Sequence, residues 1–149
     1  MKKLPEFDEN IALSLSTWVE MMKAFNKIRS LELSFIEQNG LTIGQFALLE
    51  LLHHRGKQTI GAATKLAMSS PGNMTVVVKN LIKSELIVSQ KHDSDKRSAV
   101  LSITDKGAQL IESMFPGHSR RIDSFLTGLT TEEKEVVRAL LRKLNKSLK

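Results

Sequence analysis

The stretch Ser69-Ser70-Pro71-Gly72-Asn73-Met74-Thr75-Val76-Val77-Val78-Lys79-Asn80-Leu81-Ile82-Lys83-Ser84 decides the fold. Ser70 followed by Pro71 marks a helix start. The serine hydroxyl can accept from a free backbone N–H, and proline lacks a donor that the first turn could not have used. From there to Ser84, Met74, Val77, Val78 and Leu81 fall on one side of a helix. Gly72, Val76, Lys79, Asn80 and Lys83 fall on the other, with Asn73 and Thr75 at the flanks. Upstream, Thr59 can cap a short helix over residues 60–67 with Ile60, Ala63 and Leu66 inward. A short helix, a turn, and a second helix with a basic, polar outer face form the helix-turn-helix pattern.

Working outward, residues 87–92 and 98–103 read as two strands. Ala99, Leu101 and Ile103 alternate with Ser98, Val100 and Ser102, the period of a half-buried strand. Between them Asp93-Ser94-Asp95-Lys96-Arg97 makes a polar hairpin tip. A helix-turn-helix followed at once by such a hairpin is a winged arrangement. Before it, Thr42-Ile43-Gly44-Gln45 is a capping box, with Leu41 and Phe46 at the staple positions. That helix shows Phe46, Leu49 and Leu52–His53 on one face and closes at Gly56.

The ends of the chain read as helices too. Ile11, Leu15, Trp18, Met22, Phe25, Ile28, Leu31 and Phe35 keep helical spacing over residues 10–38. At about 1.5 Å per residue that helix is about 43 Å long, more than a small core needs. Its first half is therefore expected to pack on something outside the central domain. Thr104 can cap a fifth helix bearing Leu110, Ile111, Met114 and Phe115, which Pro116-Gly117 should kink or interrupt. Thr130-Thr131-Glu132-Glu133 starts a sixth, with Val136, Val137, Leu140, Leu141, Leu144 and Leu148 along one stripe. The fold class expected is mainly α with a small β-hairpin wing.

Composition narrows the function. The 149 residues fit one domain, and 41% hydrophobic with 26% charged residues is globular. With no cysteine there is no disulfide scaffold, zinc ribbon, thiol nucleophile or thiol redox sensor. Apolar runs are too short to span a bilayer, and Met1 to Asn10 lacks a signal-peptide core, so a cytoplasmic protein is expected. Neither a Gly-rich phosphate loop nor a nucleophile elbow is present, so no enzyme and no cofactor are expected. His53, His54, His92 and His118 lack close-spaced ligand pairs, so no metal is expected either. The net charge of +6 is uneven. Residues 1–52 carry −2, residues 107–149 carry +3, and residues 53–106, with nine basic and four acidic groups, carry +5. The excess lies over the helix-turn-helix and wing, where it would attract a polyanion.

Five stretches, in this order and spacing, resemble the MarR family of winged helix-turn-helix transcription regulators over residues 10–148. They are Leu41-Thr42-Ile43-Gly44-Gln45-Phe46, with Leu49; Ser69-Ser70-Pro71-Gly72-Asn73-Met74-Thr75; Asp95-Lys96-Arg97; Leu101-Ser102-Ile103-Thr104-Asp105-Lys106-Gly107; and Leu129-Thr130-Thr131-Glu132-Glu133-Lys134. Phe115-Pro116-Gly117-His118 is similar to members that answer to quinones, phenolic compounds or peroxides. The resemblance implies a homodimer on double-stranded, pseudo-palindromic operator DNA. Residues 1–40 and 105–149 would supply dimerisation helices, and residues 41–104 the winged DNA-binding domain.

The candidate DNA contacts are Ser70, Asn73, Thr75, Val76, Lys79 and Lys83 in the recognition helix and Lys91, Asp95, Lys96 and Arg97 in the wing. Ser70 and Thr75 can donate to phosphate or bases, Asn73 can bond adenine or phosphate, and Val76 can touch a thymine methyl. Lysines contact phosphate, and Arg97 resembles the family arginine that enters a narrow minor groove, oriented by Asp95. Many members carry Arg where this chain has Val76, so bidentate guanine readout is not available there. A small-molecule effector is implied as well, with Trp18, Met22, Phe25, His53, Met114, Phe115 and His118 as candidate lining. Two other readings stay open on sequence: a nonspecific architectural DNA binder and a helical protein-interaction module.

Overall fold

The computed structural model describes residues 8–91 and 99–148, Lys91 through its backbone alone. Among the described residues six helices and three strands follow one another. They are α1 (Glu9–Gln38), α2 (Ile43–Arg55), β1 (Gln58–Thr59), α3 (Ile60–Leu66), α4 (Pro71–Lys83), β2 (Ile87–Lys91), β3 (Ala99–Ile103), α5 (Asp105–Phe125) and α6 (Thr131–Ser147).

Helices α2 to α6 start where a Ser or Thr supplies an N-cap oxygen. Thr42 Oγ1 accepts from the Gln45 amide at 3.3 Å while Gln45 Oε1 accepts from the Thr42 amide at 2.8 Å. Thr130 and Glu133 repeat the box at 3.2 and 2.8 Å. The Glu132 carboxyl beside them is held below its ordinary range, first by a hydrogen bond from its own backbone amide and then by the Thr130 hydroxyl. Thr59 and Thr104 cap α3 and α5.

The strands form one sheet in the order β1-β3-β2, antiparallel throughout. Ile87 pairs with Ile103 and Lys91 with Ala99 across the hairpin, and Gln58 pairs with Leu101 on the other edge of β3. The two-residue strand β1 was not expected from the sequence; nothing in Gln58-Thr59 alternates over enough length to announce it. It fastens the start of the helix-turn-helix to the wing.

The core lies where α2, α4, the sheet and α5 meet. Leu48, Leu49 and Leu52 of α2, Met74 and Leu81 of α4, Ile87, Leu101 and Ile111 are almost wholly buried, with Ile36 from the end of α1. Two expectations need correction. Leu66 is exposed: α3 ends there, so Ala63 reaches the core while Leu66 rims a shallow groove beside Leu51 and His54. And α5 runs unbroken through Pro116. A proline removes one intrahelical donor. Here the next residue, Gly117, has no Cβ, and the Phe35 ring of α1 lies 3.1 Å from where one would stand. The close packing of α1 on α5 offsets the lost bond.

The surplus apolar surface expected on the end helices is present. Ile11, Leu15, Trp18, Val19 and Phe25 of α1 are exposed, as are Val136, Val137, Leu140, Leu141 and Leu144 of α6. No described helix is long and apolar enough to cross a membrane.

At Gly107 an added Cβ would stand 2.2 Å from the Leu86 carbonyl oxygen and 2.8 Å from Ile103. Gly107→Ala should therefore cost about 1–3 kcal/mol in urea unfolding, whereas Gly72→Ala, with open space around it, should be neutral or slightly stabilising.

Candidate nucleic-acid interface and an adjacent groove

Helix α4 shows three faces. Met74, Val77, Val78 and Leu81 are buried. Gly72, Thr75, Lys79 and Lys83 form an exposed stripe at spacings of three and four, and neither lysine makes an ion pair among the described residues. Between these faces lie Asn73, Val76 and Asn80, all exposed. Val76 is 57% exposed, which for a valine in a helix interior leaves an apolar contact free.

The start of α4 is locally tied. Ser70 Oγ accepts from the Asn73 amide at 3.3 Å, and the Asn73 side-chain amide donates to Ser69 Oγ at 3.0 Å. Thr75 Oγ1 donates to the Pro71 carbonyl at 2.9 Å. The Thr75 hydroxyl has thus spent its proton on the helix and offers lone pairs outward, whereas the Ser70 hydroxyl, which accepts, keeps its O–H donor. The Asn73 carbonyl oxygen and the lysine ammonium groups keep their full capacity. The Lys79 and Lys83 stripe suits phosphate, and the Val76 methyls suit a base edge.

Antiparallel β2 and β3 follow α4 directly. Asp95, Lys96, Arg97 and His92 lie outside the described residues, as does the Lys91 side chain.

A groove of about 810 Å³ runs beside α4, within the usual size of small-molecule sites. Phe25, Ile28, Arg29 and Glu32 of α1 line one wall. Thr42 to Gln45 at the start of α2, and Asn73, Val76, Val77 and Asn80 of α4, line the others. Gly44 lets α2 approach α4 closely: its Cβ would stand 3.1 Å from a Val77 methyl.

Of the seven residues expected around an effector, Phe25 alone lines this groove. Met114 is 2% exposed and belongs to the core, one helical turn after buried Ile111. Trp18 lies two turns before Phe25 on α1 and is exposed. Met22 is half-buried outside the groove. Phe115 and His118 stand with Phe46 and His54 in an aromatic cluster between α2 and α5, at centroid distances from 4.9 to 6.2 Å. His53 touches that cluster through His54. The groove is also lined by Arg29, Glu32, Gln45 and Asn80, which were not among the expected lining residues. Arg29 and Glu32 were legible as charges flanking the apolar stripe of α1, but which helix would face them was not.

A capped reading helix behind a tight turn, with an antiparallel hairpin directly after it, defines a winged helix-turn-helix DNA-binding protein. The family model described as MarR family matches residues 41–99. The HTH-type transcriptional regulator MhqR of Bacillus subtilis (strain 168) is 30% identical over 136 residues, covering 91% of this chain and 94% of that protein. The chain belongs to the MarR family, and it is a transcriptional regulator of the helix-turn-helix type. Two solved structures share its fold. Sco3205 of Streptomyces coelicolor, a MarR family regulator in complex with DNA, gives a TM-score of 0.86 at 18% identity over 100% of this chain and 94% of that one. Bordetella bronchiseptica BpsR, whose DNA binding is described as regulated by 6-hydroxynicotinic acid, gives 0.73 at 22% identity over 85% and 98%.

Ser70→Ala should lower stability by about 1 kcal/mol in urea, since the first turn of α4 loses its cap. Ser69→Ala should leave stability near wild type and release the Asn73 amide.

Proposed function

We propose that the chain acts as a homodimeric repressor that binds a pseudo-palindromic operator and leaves it when a small organic ligand is bound. The observation that carries this reading is the division of α4. Four apolar residues anchor one face in the core, so the opposite face, with Thr75, Lys79 and Lys83, is presented rigidly to solvent. In this reading Ser70, Asn73, Thr75, Val76, Lys79 and Lys83 meet the major groove. Lys91, Asp95, Lys96 and Arg97 meet the adjacent minor groove and backbone.

The exposed apolar stripes of α1 and α6 support dimerisation through residues 1–40 and 105–149, with residues 41–104 as the DNA-binding unit. A protein alone in water rarely leaves so continuous an apolar face open. Two copies of α4 would then have to stand about one DNA turn apart, roughly 34 Å, to enter successive major grooves.

The groove beside α4 suits the effector. It touches α1 on one side and α4 on the other, so an occupant changes the free energy of their relative position. Phe25 and Ile28 offer apolar contact, while Arg29 and the Asn73 and Asn80 amides offer hydrogen bonds. That chemistry fits a small phenolic or quinone-like molecule. The likeness in fold to BpsR supports a small ligand of aromatic character without naming it.

A competition gel shift with genomic fragments at fixed salt tests the reading. A few fragments should be retained far more tightly than the rest, and Arg97→Ala should weaken that binding at least several-fold while the dimer persists. Uniform, strongly salt-dependent binding to every fragment would instead mean an architectural protein. For the dimer, Leu140→Glu with Leu144→Glu should give a monomer by sedimentation. Operator affinity should drop by about 100-fold or more as the second half-site contact ceases to be intramolecular.

A further inference from the structure

His118 is held between two carboxylates that come from two other helices. Its side chain, on α5, is 12% exposed. Nδ1 lies 3.5 Å from Glu32 Oε1 of α1, and Nε2 lies 4.0 Å from Glu50 Oε1 of α2. The Phe46 ring covers it at 4.9 Å and Phe115 at 6.2 Å. Nδ1 is buried without a hydrogen-bond partner.

A neutral imidazole has one N–H donor and one lone pair. With a carboxylate on each side, one nitrogen must therefore present a lone pair to an oxygen. Turning the ring over exchanges the nitrogens and changes nothing, because a carboxylate waits on both sides. A protonated imidazole turns an N–H and a positive charge toward both carboxylates, at ion-pair rather than hydrogen-bond distance. The site is balanced for one proton more than a neutral histidine brings.

We propose that His118 is a positioning residue whose proton fastens α2, and with it the reading helix, to α1 and α5. Protonated, the Glu32–His118–Glu50 clasp ties all three helices. Neutral, the imidazole turns a lone pair toward one carboxylate and has no charge with which to attract either. Helix α2 carries the motion to DNA because Gly44 packs directly on Val77 of α4. Glu32 also lines the groove beside α4, so the clasp adjoins the proposed effector site.

Other charged groups face this place without sharing the clasp. Arg121, the next turn of α5, donates to the Leu31 carbonyl at 2.8 Å between the Phe35 and Phe125 rings. Arg29 lines the groove, and His53 and His54 lie on α2 at the far side of Phe115. A closed clasp preorganises the two DNA-reading units of a dimer, so less ordering is needed when they dock. Operator affinity should therefore be higher with His118 protonated than with it neutral.

The inference rests on operator binding, so the experiment has an arm without DNA. Operator affinity is measured at constant ionic strength at about pH 6 and about pH 8 for wild type, His118→Gln, and the double variant Glu32→Gln, Glu50→Gln. Wild type should lose affinity several-fold more across the interval than either variant. Simple charge attraction predicts otherwise: removing two carboxylates would strengthen DNA binding at both pH values and leave the pH ratio intact. In free protein, hydrogen exchange of α2 amides, corrected for intrinsic rates, should show protection lost at the higher pH in wild type alone. Equal pH ratios in wild type and His118→Gln, or α2 protection that follows pH equally in both, would overturn the clasp. Absence of operator binding with a pH-dependent α2 would retain the clasp and remove the repressor reading.

Discussion

The Leu86 carbonyl, pressed against Gly107, fixes how the reading helix meets the rest of the molecule. The Thr104 amide donates to that same carbonyl at 3.1 Å, the Thr104 hydroxyl donates to the Glu85 carbonyl at 2.8 Å, and Lys106 Nζ donates to the Ser84 carbonyl at 2.9 Å. Together they satisfy the carbonyls of the three residues just past α4, whose own Asn80, Leu81 and Ile82 carbonyls accept from the Ser84, Leu86 and Glu85 amides. They also hold Glu85 at φ +61°, a left-handed conformation that costs a non-glycine residue about 1–2 kcal/mol. The end of α4 and the start of α5 are thereby one rigid joint.

That joint gives the exposed end helices their meaning. A core built from α2, α4, the sheet and the first turns of α5 draws its buried residues mainly from the middle of the chain. It leaves α6 with no buried residue and α1 with one, Ile36. Hydrophobic burial scales with area removed from water, so these open stripes are stable in water only when covered. A second copy would cover them through elements rigidly joined to the reading helix, making the distance between two α4 helices a property of the interface.

Much of this was legible in the sequence because its signals are local. Thr42, Thr59, Ser70, Thr104 and Thr130 announce helix starts through hydrogen bonds spanning three residues, and each stands where its spacing says. The buried stripe of α4 was readable for the same reason. The sheet edge at Gln58-Thr59 was not, since two residues carry no period and the strand exists because β3 offers an edge. The residues expected around an effector do not line one groove, for a related reason. Trp18, Met114 and His118 share an apolar or aromatic character, but cavities are made by the gap between elements, and helical spacing on one element says nothing about its neighbour. The wing residues Asp95, Lys96 and Arg97 remain readings of sequence order alone.

Pro116 and Gly117 illustrate the difference between a local rule and its tertiary setting. Taken alone, a proline within a helix followed by a glycine argues for a break, since one lacks a donor and the other adds chain entropy. In the folded chain the glycine admits the Phe35 ring, and the next residue, His118, is the one that faces Glu32 and Glu50. A side chain at 117 would press on the Phe35 ring and work against the approach of α1, which carries Glu32. The pair that looks like a helix breaker therefore sits in an unbroken helix, and the glycine follows from the approach of α1 that brings Glu32 toward His118.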